Sequence, residues 1–193
     1  MDTREEFVNL YSSPPVSLAA YFPSVPAPDP RHAPYLLAAR WRVHDLYGED
    51  VPQIAADLLE SGYDTPTLRR LAGEMNIKSS SEVEPFVERL FKEFNIRYPL
   101  SEIQAKLIFS RQIAREVIAG IRNPWVAAST LEITIWGCRP PNRTFGTIFG
   151  INEAIDIAPE FRPSLESLRT ELLDSFASIG SYSDQKLAEI ENE

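Results

Sequence analysis

The chain has 193 residues, 44 % of them hydrophobic, and a formal net charge of −9. A chain of this length buries roughly 70 % of its unfolded surface, so it needs no disulfide or metal to fold. One cysteine and two histidines exclude an internal disulfide framework and argue against a zinc site of the Cys/His type. The negative charge argues against nonspecific binding to nucleic acid or to an anionic membrane.

Hydropathy and the first residues of the chain bear on localisation. No apolar run approaches the roughly 18 residues that cross a bilayer. The first residues lack the basic and apolar regions of a secretory signal, and a single cysteine suits a reducing compartment. We therefore expect a cytoplasmic protein without a membrane anchor, metal or cofactor.

The N-terminal region is rich in proline. Thr3 and Glu6 have the spacing of a capping box, which predicts helical turns over residues 3–10. Residues 14–34, called here the proline-rich segment, contain seven of the sixteen prolines, which favours extended backbone. Apolar residues between the prolines favour a strap that lies on the domain, and the alternative is a docking segment for a partner. We predict a short helix and strap over 1–33 and a single helical domain over 34–193.

From residue 34 onward, caps and apolar spacing predict helices joined by short connections. Their expected ranges are 34–47, 50–60, 65–75, 81–94, 101–120 and 163–179. The expected N-caps are Asp50, Thr65, Ser81 and Ser101. Residues 138–160 are expected to form a loop with short helical turns. The pattern predicts an all-α, multi-helix bundle of about six to eight helices.

Residues 130–136 carry mixed signals. The run TLEITIW alternates polar and apolar residues and is β-branched, which is typical of a strand. Pro124 begins the segment and Gly137 ends it as they would a helix. We favour the helix and keep the strand as the alternative.

Charge is unevenly distributed along the chain. Residues 101–150 hold six basic and three acidic side chains, and residues 151–193 hold three basic and ten acidic ones. If the helix from 101 continues past Gly120, Arg111, Arg115 and Arg122 lie within about 40° of one another beside its apolar stripe. Such arginines need carboxylate partners or an anionic ligand. The candidate carboxylates are Glu166, Glu171 and Asp174.

Catalytic patterns are sparse. Adjacent residues on a helix diverge by about 100°, so Asp45 does not orient His44 as a general base. Cys138 has no histidine placed beside it, and Gly146 and Gly150 lack the lysine of a phosphate loop. We predict no catalytic residues. Trp41 lies between Arg40 and Arg42, so we expect a partly exposed indole of the kind found at binding hot spots.

Several short stretches resemble a pattern in small, uncharacterised, all-helical bacterial proteins. The resemblance rests on YLLAAR at 35–40, DVPQIA at 50–55, DTPTLRRLAG at 64–73 and AREVIAG at 114–120. It implies an all-α, bacterial, cytoplasmic protein and carries no activity or site residues with it.

We therefore expect a non-enzymatic module that binds another protein: an acidic, helical, immunity-type or adaptor protein that masks a basic partner. The candidate interface residues are Arg40, Trp41, Glu166, Glu171 and Asp174. The first alternative is a binder of small anions, or an enzyme, that uses Arg111, Arg115 and Arg122. The second alternative is a helix-turn-helix regulator over 68–91, which Glu82 and Glu84 disfavour because they would repel DNA phosphates.

Overall fold

The computed structural model describes residues 9–31, 33–74, 77, 79–137, 139–157, 159–161 and 163–192. Within these residues every regular element is helical, which confirms the predicted all-α class. The α-helices are α1 (Pro34–Arg42), α2 (Val51–Glu60), α3 (Pro66–Ala72), α4 (Ser80–Glu93), α5 (Glu102–Ile118), α6 (Pro124–Ser129), α7 (Arg143–Ile155), α8 (Leu165–Gly180) and α9 (Asp184–Glu191). Short 3-10 helices span Gly48–Asp50 and Pro159–Phe161.

The described residues group into two compact units. One unit, here the 29–109 unit, runs from Asp29 to Phe109, and the boundary therefore falls inside α5. The other, here the 110–193 unit, contains the described residues from Ser110 onward together with those up to Pro28. The predicted domain bounds, 1–33 and 34–193, stay predictions.

In the 29–109 unit, α2 packs on α3, and α3 in turn contacts α4. Leu58, Leu68 and Leu71 are fully buried in this core. Thr65 caps α3 as predicted, because its Oγ1 accepts a hydrogen bond from the Leu68 N–H at 3.2 Å. A buried apolar face and a satisfied first turn together explain why this short segment is helical.

Two predicted caps in this unit are wrong. The Asp50 side chain does not cap α2; its Oδ2 accepts the Tyr47 N–H at 2.8 Å and closes the 3-10 turn ahead of α2. The N-cap of α4 is Ser79 and not Ser81. Runs of residues with capping chemistry, such as Ser79 to Ser81, leave the first residue of a helix ambiguous.

In the 110–193 unit, α7 packs on α8 and its large side chains fill the core. Phe145, Ile148, Leu172 and Phe176 are completely buried. The expected loop over 138–160 is therefore wrong for Arg143–Ile155, which is a 13-residue helix capped by Asn142. Gly146 and Gly150 lower the intrinsic helix propensity of this segment, and burial of its apolar face overrides that penalty.

Residues 124–136 are helical throughout, which confirms the favoured interpretation. The second half, Thr130–Trp136, is a π-helix. Leu131 and Ile135, four residues apart, are buried while Ile133 is exposed, so the alternating apolar residues do not share one face as they would in a strand. The Trp136 indole N–H donates to Ser110 Oγ at 3.0 Å.

The proline-rich segment contacts the end of α5. The Leu18 N–H donates to the Ile118 carbonyl at 2.8 Å, and the Asn123 amide donates to the Leu10 and Ser13 carbonyls at 2.9 Å each. Helix α5 ends at Ile118, earlier than predicted, and Gly120 turns the chain with a φ of +74°. That the segment serves as a strap and not as a docking segment stays a prediction.

Candidate functional site

The three arginines of the predicted stripe all have partners inside the 110–193 unit. Arg111 Nη1 lies 2.7 Å from Asp184 Oδ1 and donates to the Tyr182 carbonyl at 3.1 Å. Arg115, which is 8 % exposed, donates from Nε to the Gly180 carbonyl at 3.0 Å. These two side chains therefore satisfy acceptors where α8 ends and α9 begins.

Arg122 does not share a helical face with Arg111 and Arg115, because α5 ends before Gly120. The projection of all three onto one continuous helix is therefore wrong. The Arg122 guanidinium pairs with Glu116 Oε2 at 2.9 Å. Gly120, with its positive φ, turns the chain out of the helix before Arg122.

The carboxylates predicted to pair with the arginines lie elsewhere. Glu166, Glu171 and Asp174 are exposed on α8, and none of them forms an ion pair among the residues that the structure describes. At 100° per residue these three side chains fall within about 140° of one another, so they share one side of the helix. Helix α8 thus presents an acidic face.

Arg40 and Trp41 form no exposed patch. Trp41 is only 9 % exposed, so the expectation of a partly exposed indole is wrong. Arg40 Nε donates to Asp45 Oδ2 at 2.6 Å. Helix α1 turns its Trp41 face inward together with Leu37 and Ala38, and basic neighbours in sequence do not decide which way a helix faces. A role for either residue at an interface stays a prediction.

The 68–91 stretch forms two helices, α3 and α4, and part of the connection between them lies outside the described residues. Glu82 and Glu84 are exposed in the first half of α4, where a recognition helix would meet phosphates. Cys138 also lies outside the described residues. The regulator hypothesis stays a prediction.

A polar cavity in the 29–109 unit escaped prediction. Its volume is about 300 Å³, and it is lined by Trp41, Arg42, His44, Glu84, Glu88, Tyr98, Pro99 and Leu100. The lining comes from the end of α1 and the turn after it, the middle of α4 and the loop before α5. Glu84 and Glu88 are one helical turn apart on α4, which places both carboxylates toward the same space.

The charges of this cavity act on Tyr98. Burial, and after it the negative charges of Glu84 and Glu88, raise the pKa of the Tyr98 hydroxyl; the Arg42 charge and a hydrogen bond with Trp41 oppose this in part. The Tyr98 ring packs against Phe91 with 5.0 Å between ring centroids. The Tyr98 ring is therefore held in place, and the two carboxylates raise the pKa of its hydroxyl.

His44 lies at this cavity in a turn and not on a helix. Helix α1 ends at Arg42, and His44 has a φ of +58°. A non-glycine residue in the left-handed region is uncommon and is found disproportionately at functional sites. Sequence reasoning placed His44 on a continuous helix, and the cavity needs three segments far apart in the chain, so no local pattern could have revealed it.

The part of the chain that the structure describes shows neither a metal centre nor a membrane span. Among the described residues, no three His, Cys, Asp or Glu side chains are grouped so as to hold a metal ion. None of the helices that the structure describes is both long and apolar enough to cross a bilayer.

Comparison with known proteins gave no match. No family model, no curated protein and no solved structure matches this chain. The resemblance to small helical bacterial proteins therefore stays a prediction, and the functional argument rests on this chain's own residues.

Proposed function

We propose that the protein is a non-enzymatic binding module, of immunity or adaptor type, that presents the acidic face of α8 to a basic protein. The observation that carries this proposal is the exposure of Glu166, Glu171 and Asp174 without an ion pair among the described residues. The single cysteine suits a reducing compartment, so we also propose a cytoplasmic setting, and the resemblance of short stretches to small helical bacterial proteins supports a bacterial source.

The positions of the arginines support this proposal. Had Arg111 and Arg115 paired with the α8 carboxylates, the acidic face would have been neutralised within the fold. They bind Asp184 and main-chain carbonyls instead. The acidic charge of α8 consequently remains available to a partner, and complementary charge accelerates and orients protein association.

Apolar side chains close to α8 in sequence add a second element of an interface. Phe161, which is 79 % exposed, and Ile157 precede α8 in the chain. An exposed aromatic residue combined with a charged surface is a typical composition for a protein interface. The acidic residues would then set orientation and the aromatic side chain would provide buried area.

The test is capture of partners from a lysate of the source organism by immobilised wild-type chain and by two variants. Glu171→Lys with Asp174→Lys reverses charge on the α8 face. Glu49→Lys with Glu60→Lys makes the same change in net charge on exposed residues of the other unit. We expect one stoichiometric basic protein with wild type and with the control variant, and about tenfold weaker binding by the α8 variant.

Salt provides the second measurement. Binding through this face should weaken steeply between about 50 mM and about 500 mM salt, because exposed charges are screened. A partner retained equally by both variants, or one held equally well at low and high salt, would refute the acidic interface. Both variants should unfold at the wild-type temperature, since the altered residues are exposed.

A further inference from the structure

The cavity of the 29–109 unit brings together charges of opposite sign. Arg42 lines it from the end of α1, and Glu84 and Glu88 line it from α4. Its volume of about 300 Å³ is within the range of small-molecule sites. A binding site needs charges that the protein has not already satisfied.

Three charged side chains of this cavity, Arg42, Glu84 and Glu88, meet this requirement. Among the described residues, none of Arg42, Glu84 and Glu88 makes a hydrogen bond or an ion pair. By contrast Arg40, two residues before Arg42 on the same helix, forms an ion pair with Asp45 at 2.6 Å. The cavity therefore brings the Arg42 guanidinium, the His44 imidazole and the two carboxylates to a shared space.

His44 and apolar side chains form the remaining walls. Trp41, Pro99 and Leu100 line the cavity, and the Tyr98 ring is fixed against Phe91. Aromatic faces beside carboxylates favour an organic ammonium group, through charge attraction and cation–π contact. The apolar lining also favours a ligand with a hydrocarbon body over a free inorganic ion.

We propose that this cavity binds a free α-amino acid with an apolar side chain. Its ammonium group lies between Glu84 and Glu88, its carboxylate binds the Arg42 guanidinium, and its side chain packs on Trp41 and Leu100. A planar guanidinium is suited to bidentate contact with a carboxylate. A zwitterion matches a cavity with both signs of charge, whereas a simple anion would be repelled by the two carboxylates and a simple cation by Arg42.

This site is independent of the acidic face of α8. It uses only residues of the 29–109 unit, and its ligand is a small molecule. A failure of one proposal therefore leaves the other standing, because the variants and the measured ligands differ.

The test is titration calorimetry of the full chain with L-phenylalanine and two analogues. Phenylpropionate lacks the ammonium group, and L-phenylalanine amide lacks the carboxylate. We expect L-phenylalanine to bind and each analogue to bind about tenfold more weakly, since each loses one charged contact worth about 1.4 kcal/mol by that ratio. L-leucine should bind, and L-aspartate should not.

Variants assign the two ends of the ligand. Glu84→Gln with Glu88→Gln should abolish the preference for L-phenylalanine over phenylpropionate, and Arg42→Gln should abolish its preference over the amide. The matched control, Glu49→Gln with Glu60→Gln, should keep the wild-type affinity. Each variant is first compared with wild type by circular dichroism to show that it is folded.

Three results would overturn the proposal. One is no measurable heat with L-phenylalanine or L-leucine up to about 10 mM at two temperatures, since a binding enthalpy of zero at one temperature is not zero at the other when apolar surface is buried. Another is equal binding of all three phenyl compounds. The last is that Arg42→Gln, and Glu84→Gln with Glu88→Gln, remain folded and keep the wild-type preference for L-phenylalanine over its two analogues.

Discussion

Two groups of charged residues in this chain differ in how their charges are satisfied. On and after α5, Arg111, Arg115 and Arg122 each have a partner within their own unit. In the cavity of the 29–109 unit, Arg42 faces open space with Glu84 and Glu88 and forms no ion pair with any described residue. The first group stabilises the fold, and the second is suited to a ligand.

The difference comes from what lies near each arginine. Arg111 and Arg115 meet main-chain carbonyls around the end of α8, where a helix leaves acceptors without intrahelical donors. Gly180 leaves room for Val25 rather than for the arginine: a Cβ there would lie 2.9 Å from Val25 Cγ1 but 3.6 Å from Arg115 Cγ, an ordinary contact. A guanidinium is therefore structural where the backbone supplies acceptors, whatever carboxylates the sequence offers nearby.

The largest expected loss of stability comes from displacing the proline-rich segment from the groove that it forms with Arg122. Val16 and Leu18 of the proline-rich segment line the same groove as Arg122. A Cβ on Gly120 would lie 2.3 Å from the Ser17 nitrogen, and the φ of Gly120 is +74°. We expect Gly120→Ala to destabilise the protein by about 3 kcal/mol, through backbone strain and displacement of the segment.

Gly62 provides the matched control for that change. Its φ is +90° and its Cβ position has no atom within 4 Å, so Gly62→Ala should cost only the backbone strain of about 1 kcal/mol. Urea unfolding measures both values, and limited proteolysis should cleave the proline-rich segment faster in Gly120→Ala alone. Equal costs for the two glycines would show that the segment does not press on Gly120.

The second largest expected effect is a difference in stability between two variants, each of which removes one arginine from one of the two groups. Arg115→Ala leaves the buried Gly180 carbonyl without that donor and removes a packed aliphatic stem, so it should cost about 2 kcal/mol. Arg42→Ala removes a charge with no ion-pair partner among the described residues and should change stability by less than about 0.5 kcal/mol. Chemical denaturation of both variants under one buffer measures the contrast.

An equal loss of stability in the two variants would remove the distinction between a structural and a ligand-binding group. Conversely, an Arg115→Ala chain that keeps its stability and loses affinity for a small anion would restore the predicted arginine site. The loss of stability in Arg111→Ala should lie between those of Arg115→Ala and Arg42→Ala, because the partner of Arg111, Asp184, is itself 85 % exposed.

The elements that sequence reasoning predicted correctly depend on local chemistry. Ser101 caps α5 and Thr65 caps α3, since a hydroxyl two or three residues ahead of a free N–H suffices. Helix α7 was missed because its two glycines mask an apolar face whose burial becomes visible only in the fold.

The charged groups could be predicted only in part. Composition revealed that basic and acidic stretches follow one another, but the partners of Arg111 and Arg115 depend on where α8 ends in space. The cavity was invisible because His44, Glu84 and Tyr98 belong to segments separated by many residues. Helix α1 ends at Arg42, earlier than predicted, and this places His44 in a turn.

The smallest expected effect concerns Glu93, a carboxylate of the 29–109 unit that, unlike Glu84 and Glu88, is held by neighbours. Thr67 Oγ1 donates to Glu93 Oε1 at 2.7 Å. Burial of Glu93 opposes ionisation, but hydrogen bonds from Thr65 and Thr67 outweigh it and lower the pKa of the Glu93 carboxyl. A lowered folded-state pKa stabilises the protein above the unfolded-state pKa, and this contribution is lost as pH falls through the folded-state value.

Thr67→Val should therefore raise the pKa of Glu93, as read by NMR titration of its side-chain carboxyl. It should also lower stability at neutral pH by about 1 kcal/mol, the net value of one hydrogen bond, and the difference from wild type should shrink below about pH 4. Glu102, whose pKa is lowered by a hydrogen bond from Lys106, is the internal control and should titrate identically in both chains. A Glu93 pKa that does not move in the variant would mean that the Thr67 hydroxyl does not hold this carboxylate, and that Thr65 and the other neighbours of Glu93 lower its pKa.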